Sequence, residues 1–250
     1  MFFIAKQMAK ASMIIVADSP PPYTICEYNL NFSKDLKEKV RYVGYFISNK
    51  TFDLGDDTDL EKLIAEQLSK HALKVGDKFP AFELPDSKGK QISSLELLAK
   101  GPLVLSFYRG GWCPYCNAQL AGLKDIESKV MDLGYQIVAI SPDSPARLKE
   151  QAVDSDFKVK LLSDKDFSVS SALGIGFFLP DDVANRYRNK MGIEFVALDG
   201  TSKVALPVPA VYIADQQGLV HFNYVNPNFR VRISPELLYQ AAKTLDLQQQ

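Results

Sequence analysis

The sequence is poor in the residues that most often bind metals or build disulfide frameworks. Among 250 residues there are only three cysteines and two histidines. Three cysteines do not make the disulfide framework of a small secreted domain, which needs several pairs. His71, His221 and Cys26 are scattered along the chain and form no zinc-ligand spacing. We therefore expect no metal ion and no organic cofactor.

The chain also lacks a charge imbalance and a long apolar segment. Its formal net charge of −1 gives no sign of a nucleic acid or membrane partner. No stretch approaches the roughly 20 apolar residues of a membrane span. The only apolar run near the start, Met13 to Ala17, is preceded by Lys6 and Lys10, which is a poor secretory signal. We expect a cytoplasmic protein, with export left open.

The first 75 residues differ in pattern from the rest of the chain. Residues 1–22 end in a run of prolines, which is typical of a loose terminus. Helical spacing of apolar residues follows from about Glu27 to Leu73, and residues 57–59 are suited to capping a second helix. Gly76 then marks a break. We predict a loose N-terminus over 1–22, a helical extension over 23–75 and one main domain over 76–250.

After Gly76, short apolar runs alternate with amphipathic segments. Residues 103–108 and 136–140 are nearly continuous apolar runs, which is typical of buried parallel strands. The segment between them has apolar residues three and four apart, as a helix requires: Leu120, Leu123, Ile126, Val130 and Leu133. This alternation predicts βαβ units, and hence an α/β fold with a central sheet flanked by helices.

The last third of the chain has a hairpin and a well-marked helix. Two apolar runs flank residues 215–218, which predicts a β-hairpin. Ser234 and Pro235 suit the N-cap and first position of a final helix. Residues 175–205 resist assignment and are interpreted as an insertion with one helix near Asp181 to Lys190. The turn at 226–230 suggests no role.

The chemistry is concentrated in the motif Cys113-Pro114-Tyr115-Cys116, which follows a predicted strand and opens a helix. Cysteines three apart on a first helical turn lie on one face and are able to form a small disulfide. Unpaired N–H groups and the helix dipole favour thiolate there. Pro114 suits the first turn because its missing N–H is not needed. We predict a reversible Cys113–Cys116 disulfide, with Cys113 the more accessible sulfur.

Alternative interpretations remain for this motif and its neighbours. The cysteine pair also suits half of a zinc site or a purely structural role, although no second pair exists. Trp112 and Tyr115 are either packing aromatics or residues that shape the surface around the sulfurs. Cys26 is more typical of a small buried hydrophobe than of a third redox thiol.

Three stretches of the sequence together resemble the peroxiredoxin-like, CxxC-containing branch of the AhpC/TSA redoxins. They are residues 75–80, 107–116 and 206–215, and the likeness runs from about Leu73 to Leu247. The resemblance implies a thioredoxin-like fold with a central mixed sheet. It also implies a thiol-disulfide oxidoreductase or thiol-dependent peroxidase, which takes electrons from a thiol donor such as thioredoxin or glutathione. A homodimer is left open.

The same resemblance assigns roles residue by residue, with departures from the family pattern. Cys116 takes the position of the cysteine that attacks peroxide, while Arg109 replaces the proline and Cys113 the threonine of that motif. Pro209 stands where the family has a substrate-polarising arginine, and resembles the cis-proline that faces the cysteine pair in thioredoxins. A cis Val208–Pro209 bond is predicted on this basis. Arg109 is a candidate for the missing cation.

The sequence leaves the substrate and part of the function open. Membership of the family favours peroxide, whereas the CxxC pair and Pro209 favour a protein disulfide. In a disulfide reaction we expect Cys113 to attack, and in a peroxide reaction Cys116. A redox switch or binding protein without turnover, and a zinc-binding interaction domain, are the alternatives from other classes.

Overall fold

A computed structural model of the chain describes residues 13–16, 25–28, 58–151, 158–191, 193, 195 and 204–246. Within these residues the strands are β1 (Met13–Val16), β2 (Ile25–Tyr28), β3 (Glu83–Pro85), β4 (Gln91–Ser93), β5 (Leu103–Phe107), β6 (Gln136–Ser141), β7 (Lys160–Ser163), β8 (Gly176–Leu179), β9 (Val204–Pro207), β10 (Ala210–Ala214) and β11 (Val220–Val225). The helices are α1 (Thr58–His71), α2 (Ser94–Leu98), α3 (Pro114–Asp132), α4 (Pro145–Gln151), α5 (Ser168–Ala172), α6 (Asp181–Met191) and α7 (Pro235–Asp246). No described helix is long and apolar enough to cross a membrane.

The centre of the fold is a mixed sheet in the order β11-β10-β5-β6-β7. Strands β5, β6 and β7 are parallel, whereas β10 pairs antiparallel with both β5 and β11. The parallel pairs are joined by crossovers that contain α3 and α4, because parallel strands need a long connection. This is the α/β architecture that the sequence pattern predicts.

Helices and a small second sheet cover the two faces of the central sheet. One face packs on α3 and α7 through residues such as Val104, Leu123 and Leu238. The other face packs on α1, the β3–β4 hairpin and α5 through residues such as Ile64, Leu105 and Val169. Val104 and Leu105 point to opposite faces because successive side chains of a strand alternate. The central strands are therefore buried on both faces, as their apolar runs indicate.

The N-terminal part differs from the expectation in two short segments. Met13–Val16 is a strand where a loose terminus was expected, and Ile25–Tyr28 is a strand where helical spacing begins. β2 pairs with β1 and with the edge strand β11, with Cys26 opposite Tyr224. Pairing with a free sheet edge outweighs a short helical pattern, since strand formation depends on tertiary context. α1 forms as predicted, and the first expected helix lies outside the described residues, apart from Glu27 and Tyr28.

The segment that the sequence left unassigned contains a hairpin of its own. β8 and β9 pair antiparallel, and α6 lies between them in the sequence at the predicted position. These elements share a small apolar cluster that includes Leu179, Tyr187 and Leu206. Trp112, from the cysteine motif, packs against this cluster. The insertion therefore contacts the residue that precedes Cys113.

Candidate active site

The backbone places the two cysteines at the start of α3. Cys113 is the N-cap residue in an extended conformation, and Pro114 occupies the first helical position. The Cys113 carbonyl accepts hydrogen bonds from the N–H groups of Cys116 (3.0 Å) and Asn117 (3.1 Å). Gly110, with φ of 137°, turns the chain between β5 and the helix. The end of β5, the tight turn at Gly110 and the start of α3 thus place both sulfurs at one site.

Both sulfurs are buried, and they contact each other. Cys113 is 1% exposed and Cys116 is fully buried, so the expectation of an accessible Cys113 was wrong. The helix start alone would leave Cys113 open, but Cys113 belongs to the apolar core between α3 and the sheet, and Trp112 and Tyr115 pack against that core. The two side chains are joined by a hydrogen bond, and both are free thiols. A disulfide between them would thus need little movement of the chain.

The two thiols differ in pKa. The hydrogen bond to Cys116, together with burial, raises the pKa of Cys113. Burial also acts to raise the pKa of Cys116, but the hydrogen bond from Cys113 and the charges of Arg232 and Arg109 outweigh it and lower that pKa to about 5. The backbone N–H of Arg109 adds a further hydrogen bond to Cys116. Cys113 is therefore the proton donor of the pair, and Cys116 carries the negative charge.

Arg232 is the functional candidate that sequence reasoning missed. Its Nη2 donates to Sγ of Cys116 at 3.2 Å, its Nη1 to Oε1 of Gln119 at 2.6 Å, and its Nε to the Phe229 carbonyl at 2.7 Å. The side chain is buried, so these contacts form away from bulk water. Arg232 lies 116 residues from Cys116, between the turn at 226–230 and α7. The sequence offered one sign of Arg232, namely that it is a basic residue in the link between the last strand and the last helix, for which no other role was apparent.

Arg109 lies in an aromatic enclosure beside the same sulfurs. Its guanidinium carbon is 4.2 Å from the ring centre of Phe229, 5.0 Å from that of Trp112 and 5.6 Å from that of Tyr187. Arg109 is only 2% exposed, and its Nε has no hydrogen-bond partner among the described residues. Aromatic faces attract a cation but do not satisfy N–H donors. The guanidinium thus keeps an unused donor near both thiols.

A buried carboxylate holds the loop that precedes the cysteines. Oδ2 of Asp143 accepts the backbone N–H of Gly111 and the side-chain amide of Gln151, each at 2.8 Å. Asn117 donates to the Gly111 carbonyl at 2.9 Å, so the loop is held on both sides. A Cβ on Gly111 would meet the Gln151 side chain, which would have to shift away from its place beside Asp143. These contacts fix the path of the chain into Cys113.

The remaining residues predicted for the site lie around this centre. Tyr115 packs edge-on against Phe229 at 5.8 Å. Pro209 is buried and precedes Ala210, which is paired with Phe107, so Pro209 lies at the end of the sheet where Arg109 follows β5. The isomer of the Val208–Pro209 bond stays a prediction. The described residues contain no group of three or more His, Cys, Asp or Glu side chains that could hold a metal ion.

A small cleft opens beside the cysteine loop. It encloses about 240 Å³ of empty space, part of which is open to solvent. Its apolar wall consists of Trp112, Pro142, Phe195, Ala205 and Leu206, and its charged groups are Arg109, Arg147 and Asp143. The cleft lies between the insertion, the Arg109–Trp112 loop and α4. It is lined by Trp112, the residue that precedes Cys113.

A mixed sheet with a cysteine pair at the start of the helix after β5 is the arrangement of the thioredoxin-like fold. The family model of the AhpC/TSA family matches residues 75–223, more than half of the chain. The protein therefore belongs to the AhpC/TSA family. The resemblance inferred from its sequence is confirmed.

Individual relatives support the same assignment. The chain is 34% identical to peroxiredoxin Bcp of Escherichia coli over 103 residues, which are 41% of this chain and 65% of that protein. The match thus spans just under two thirds of the relative. A putative peroxiredoxin of Coxiella burnetii is 26% identical over 149 residues, or 60% of this chain and 86% of the relative.

Solved structures share the fold at low sequence identity. Peroxidoxin BcpB of Mycobacterium tuberculosis superposes with a TM-score of 0.54 at 22% identity, covering 70% of this chain and 97% of that one. A cysteine-to-serine mutant of peroxiredoxin 6 of Arenicola marina gives 0.58 at 19% identity, covering 72% and 76%. These similarities confirm the thioredoxin-like fold.

Proposed function

We propose that the protein is a thiol-dependent peroxidase in which Cys116 is the nucleophile and Cys113 the resolving thiol. The observation that carries this proposal is the contact between the two sulfurs, with the pKa of Cys116 lowered to about 5 and that of Cys113 raised. At neutral pH Cys116 is then almost wholly thiolate, which is the reactive form of cysteine. The names of the bacterial relatives, which are peroxiredoxins, support peroxide as the substrate.

The proposed reaction has two steps at the protein. The Cys116 thiolate attacks one peroxide oxygen, the O–O bond breaks, and the departing oxygen leaves as water or an alcohol after taking a proton. Cys116 is now a sulfenic acid. The Cys113 sulfur attacks it, the S–O bond breaks, and water leaves as the Cys113–Cys116 disulfide forms. Two electrons pass from the thiols to the peroxide, and an external thiol donor must return them.

The two arginines have different parts in this proposal. Arg232 contacts the sulfur itself and stabilises its negative charge. The Nε of Arg109 has no hydrogen-bond partner within the described part of the chain, and it is suited to donate to a peroxide oxygen and favour its departure. The two side chains together replace the arginine that the family pattern would have at Pro209. Pro114, Trp112 and Tyr115 are proposed to shape the site rather than to react.

Thiol–disulfide exchange with a protein is the second candidate, and the position of Pro209 favours it. Burial of both sulfurs argues against it, because a protein disulfide must reach one of them in a straight line. Hydrogen peroxide is far smaller. A small oxidant such as hydrogen peroxide therefore fits the observed site better than a disulfide carried by a folded protein.

Two serine variants test the proposal. The Cys113→Ser variant should react once with peroxide and accumulate sulfenic acid at Cys116, detected by dimedone labelling and mass spectrometry. The Cys116→Ser variant should lose peroxide consumption. After oxidation of the unmodified protein, alkylation should find Cys113 and Cys116 blocked and the third cysteine, Cys26, free. Normal peroxide consumption by Cys116→Ser would refute the assignment, and a mixed disulfide trapped on Cys113 in that variant would favour the second candidate.

A further inference from the structure

We propose that Cys113 is the general acid of the peroxide reaction, and that it gives its thiol proton to the oxygen that departs. The transfer leaves Cys113 as a thiolate, which is the form that attacks Cys116 in the second step. The inference goes beyond the proposed function and rests on it, since it requires Cys116 to be the nucleophile. One thiol group thus serves both steps, first as an acid and then as a nucleophile.

Three hydrogen-bond donors converge on the Cys116 sulfur. Nη2 of Arg232 donates at 3.2 Å, and the backbone N–H of Arg109 and the thiol of Cys113 donate as well. A peroxide oxygen has to come within about 3–3.5 Å of the sulfur in order to react, so the peroxide meets the same three groups. A guanidinium and an amide N–H hold their protons, whereas a thiol is able to release its own. Cys113 is therefore the donor that can complete the departing oxygen as water or an alcohol.

The other groups near the sulfurs are poorly suited to supply this proton. The hydroxyl of Tyr108 donates to Oε1 of Gln151 at 2.9 Å, and burial raises the pKa of this phenol. Oδ2 of Asp143 accepts hydrogen bonds from Gln151 and from the Gly111 N–H, so this carboxylate acts as an acceptor. Both sulfurs are buried, which keeps bulk water away from them. Within the described part of the chain, Cys113 is therefore the acid that contacts the nucleophile directly.

The charge on Cys116 controls when Cys113 releases its proton. While Cys116 is a thiolate, the hydrogen bond to it, burial and its negative charge raise the pKa of Cys113. The charges of Arg109 and Arg232 act in the opposite direction. When the sulfur bonds to oxygen its negative charge is lost, so that only burial still raises this pKa, while both guanidinium charges remain. The proton is thus held until the sulfur reacts, and is released as the O–O bond breaks.

The atoms and electrons of the reaction balance. The Cys116 sulfur forms a bond to the terminal peroxide oxygen, the O–O bond breaks, and its electron pair goes to the departing oxygen. That oxygen takes the Cys113 proton, and Cys116 is left as a sulfenic acid whose hydrogen comes from the peroxide. The Cys113 thiolate then attacks the sulfenic sulfur, the S–O bond breaks, and hydroxide leaves and takes a proton from solvent as the disulfide forms.

Oxidants that differ in the basicity of the departing oxygen test the proposal. Hydrogen peroxide releases hydroxide, which needs a proton, whereas peroxyacetic acid releases acetate, which is stable as an anion at neutral pH. Formation of the Cys116 sulfenic acid in Cys113→Ala is followed by stopped-flow fluorescence of Trp112, the single tryptophan, and confirmed by dimedone labelling. We expect this variant to react about a hundredfold more slowly than the unmodified protein with hydrogen peroxide. With peroxyacetic acid it should keep most of its rate.

Controls separate this effect from a change in the thiolate itself. Removal of Cys113 also removes a hydrogen bond that lowers the pKa of Cys116, so each rate is divided by the thiolate fraction. That fraction comes from the pH dependence of alkylation by iodoacetamide, which releases iodide and needs no acid. Cys113→Ser keeps a hydrogen-bonding group whose proton is held too tightly for transfer, and should behave as Cys113→Ala does. Cys26→Ala removes a thiol elsewhere in the chain and should keep both rates.

Equal losses with the two oxidants would show that Cys113 acts on the sulfur alone, and would overturn the proposal. So would an unchanged rate with hydrogen peroxide in Cys113→Ala, or a rate in Cys113→Ser close to that of the unmodified protein. A failure of the peroxidase proposal has a different signature. Sulfenic acid would then be absent from Cys116 in Cys113→Ala and Cys113→Ser with either oxidant, and both proposals would be wrong.

Discussion

Replacing Arg232 by methionine removes the charge that contacts the Cys116 sulfur while keeping a long apolar side chain. A unit charge at 3.2 Å contributes about 5 kcal/mol to the thiolate at an effective dielectric constant of about 20. At about 1.4 kcal/mol for each pKa unit, that is an upper bound of almost four units. Arg109, the backbone N–H and the Cys113 thiol remain, so we expect a rise of about one to three units.

The consequence is a shift of the pH profile of peroxide oxidation rather than a uniform loss of activity. With a Cys116 pKa of about 5, roughly nine-tenths of the protein carries the thiolate at pH 6. With a Cys116 pKa of about 6 to 8, the fraction of protein that carries the thiolate at pH 6 would be roughly a half to a hundredth. The rate at pH 6 should then fall between about twofold and about a hundredfold, and most of it should return by pH 9.

Stopped-flow fluorescence with hydrogen peroxide between pH 4 and 9 measures this profile, and the rate of alkylation of Cys116 by iodoacetamide checks the pKa independently. Arg230→Met is the matched control, because Arg230 is in the same segment but stacks on Phe229 at 4.9 Å. A profile for Arg232→Met with the same midpoint as that of the unmodified protein would refute the electrostatic role. A loss that high pH does not restore would indicate a different cause.

Three other substitutions test the scaffold of the site. Leu123→Ala, at a 2% exposed position in the core between α3 and the sheet, should lower the free energy of unfolding by about 2–5 kcal/mol in urea titrations. Ser234→Ala removes the oxygen that accepts the Leu237 N–H at 3.1 Å, and should cost about 1 kcal/mol in the same titration with the Cys116 pKa unchanged. Asp143→Ala leaves the Gly111 N–H without its acceptor, and should slow disulfide formation after peroxide oxidation, followed by quenched-flow alkylation; an unaltered rate would remove Asp143 from the proposed positioning of the loop.

The sequence predicted those parts of the fold that follow from local patterns. The apolar stripe of α3, the hairpin before residue 226 and the cap at Ser234 are each set by residues a few positions apart, and the structure has all three. β2 was missed because its partner, β11, is almost 200 residues away in the sequence. No local pattern carries that information.

The site shows the same limit. The cysteine motif is recognisable from the sequence because its glycines, cysteines and proline lie within a few consecutive residues. Arg232 is not recognisable in this way, because its role depends on the fold, which brings it to the sulfur of Cys116 in another part of the chain. The accessibility of Cys113 was predicted wrongly for a related reason, because the core that buries it includes residues such as Phe222 and Leu238, more than 100 residues later in the sequence.

The contact between the two sulfurs also bears on damage by excess oxidant. A sulfenic acid is lost irreversibly when a second peroxide converts it to sulfinic acid before a thiol captures it. Here the capturing thiol is in the same helical turn, and groups held in this way react as though present at about 10⁵ M or more when the geometry is favourable. Capture by Cys113 is therefore expected to be faster than attack by a second peroxide molecule. Overoxidation of Cys116 should therefore require prior loss of Cys113, and the protein should stay active under oxidative stress for as long as its donor lasts.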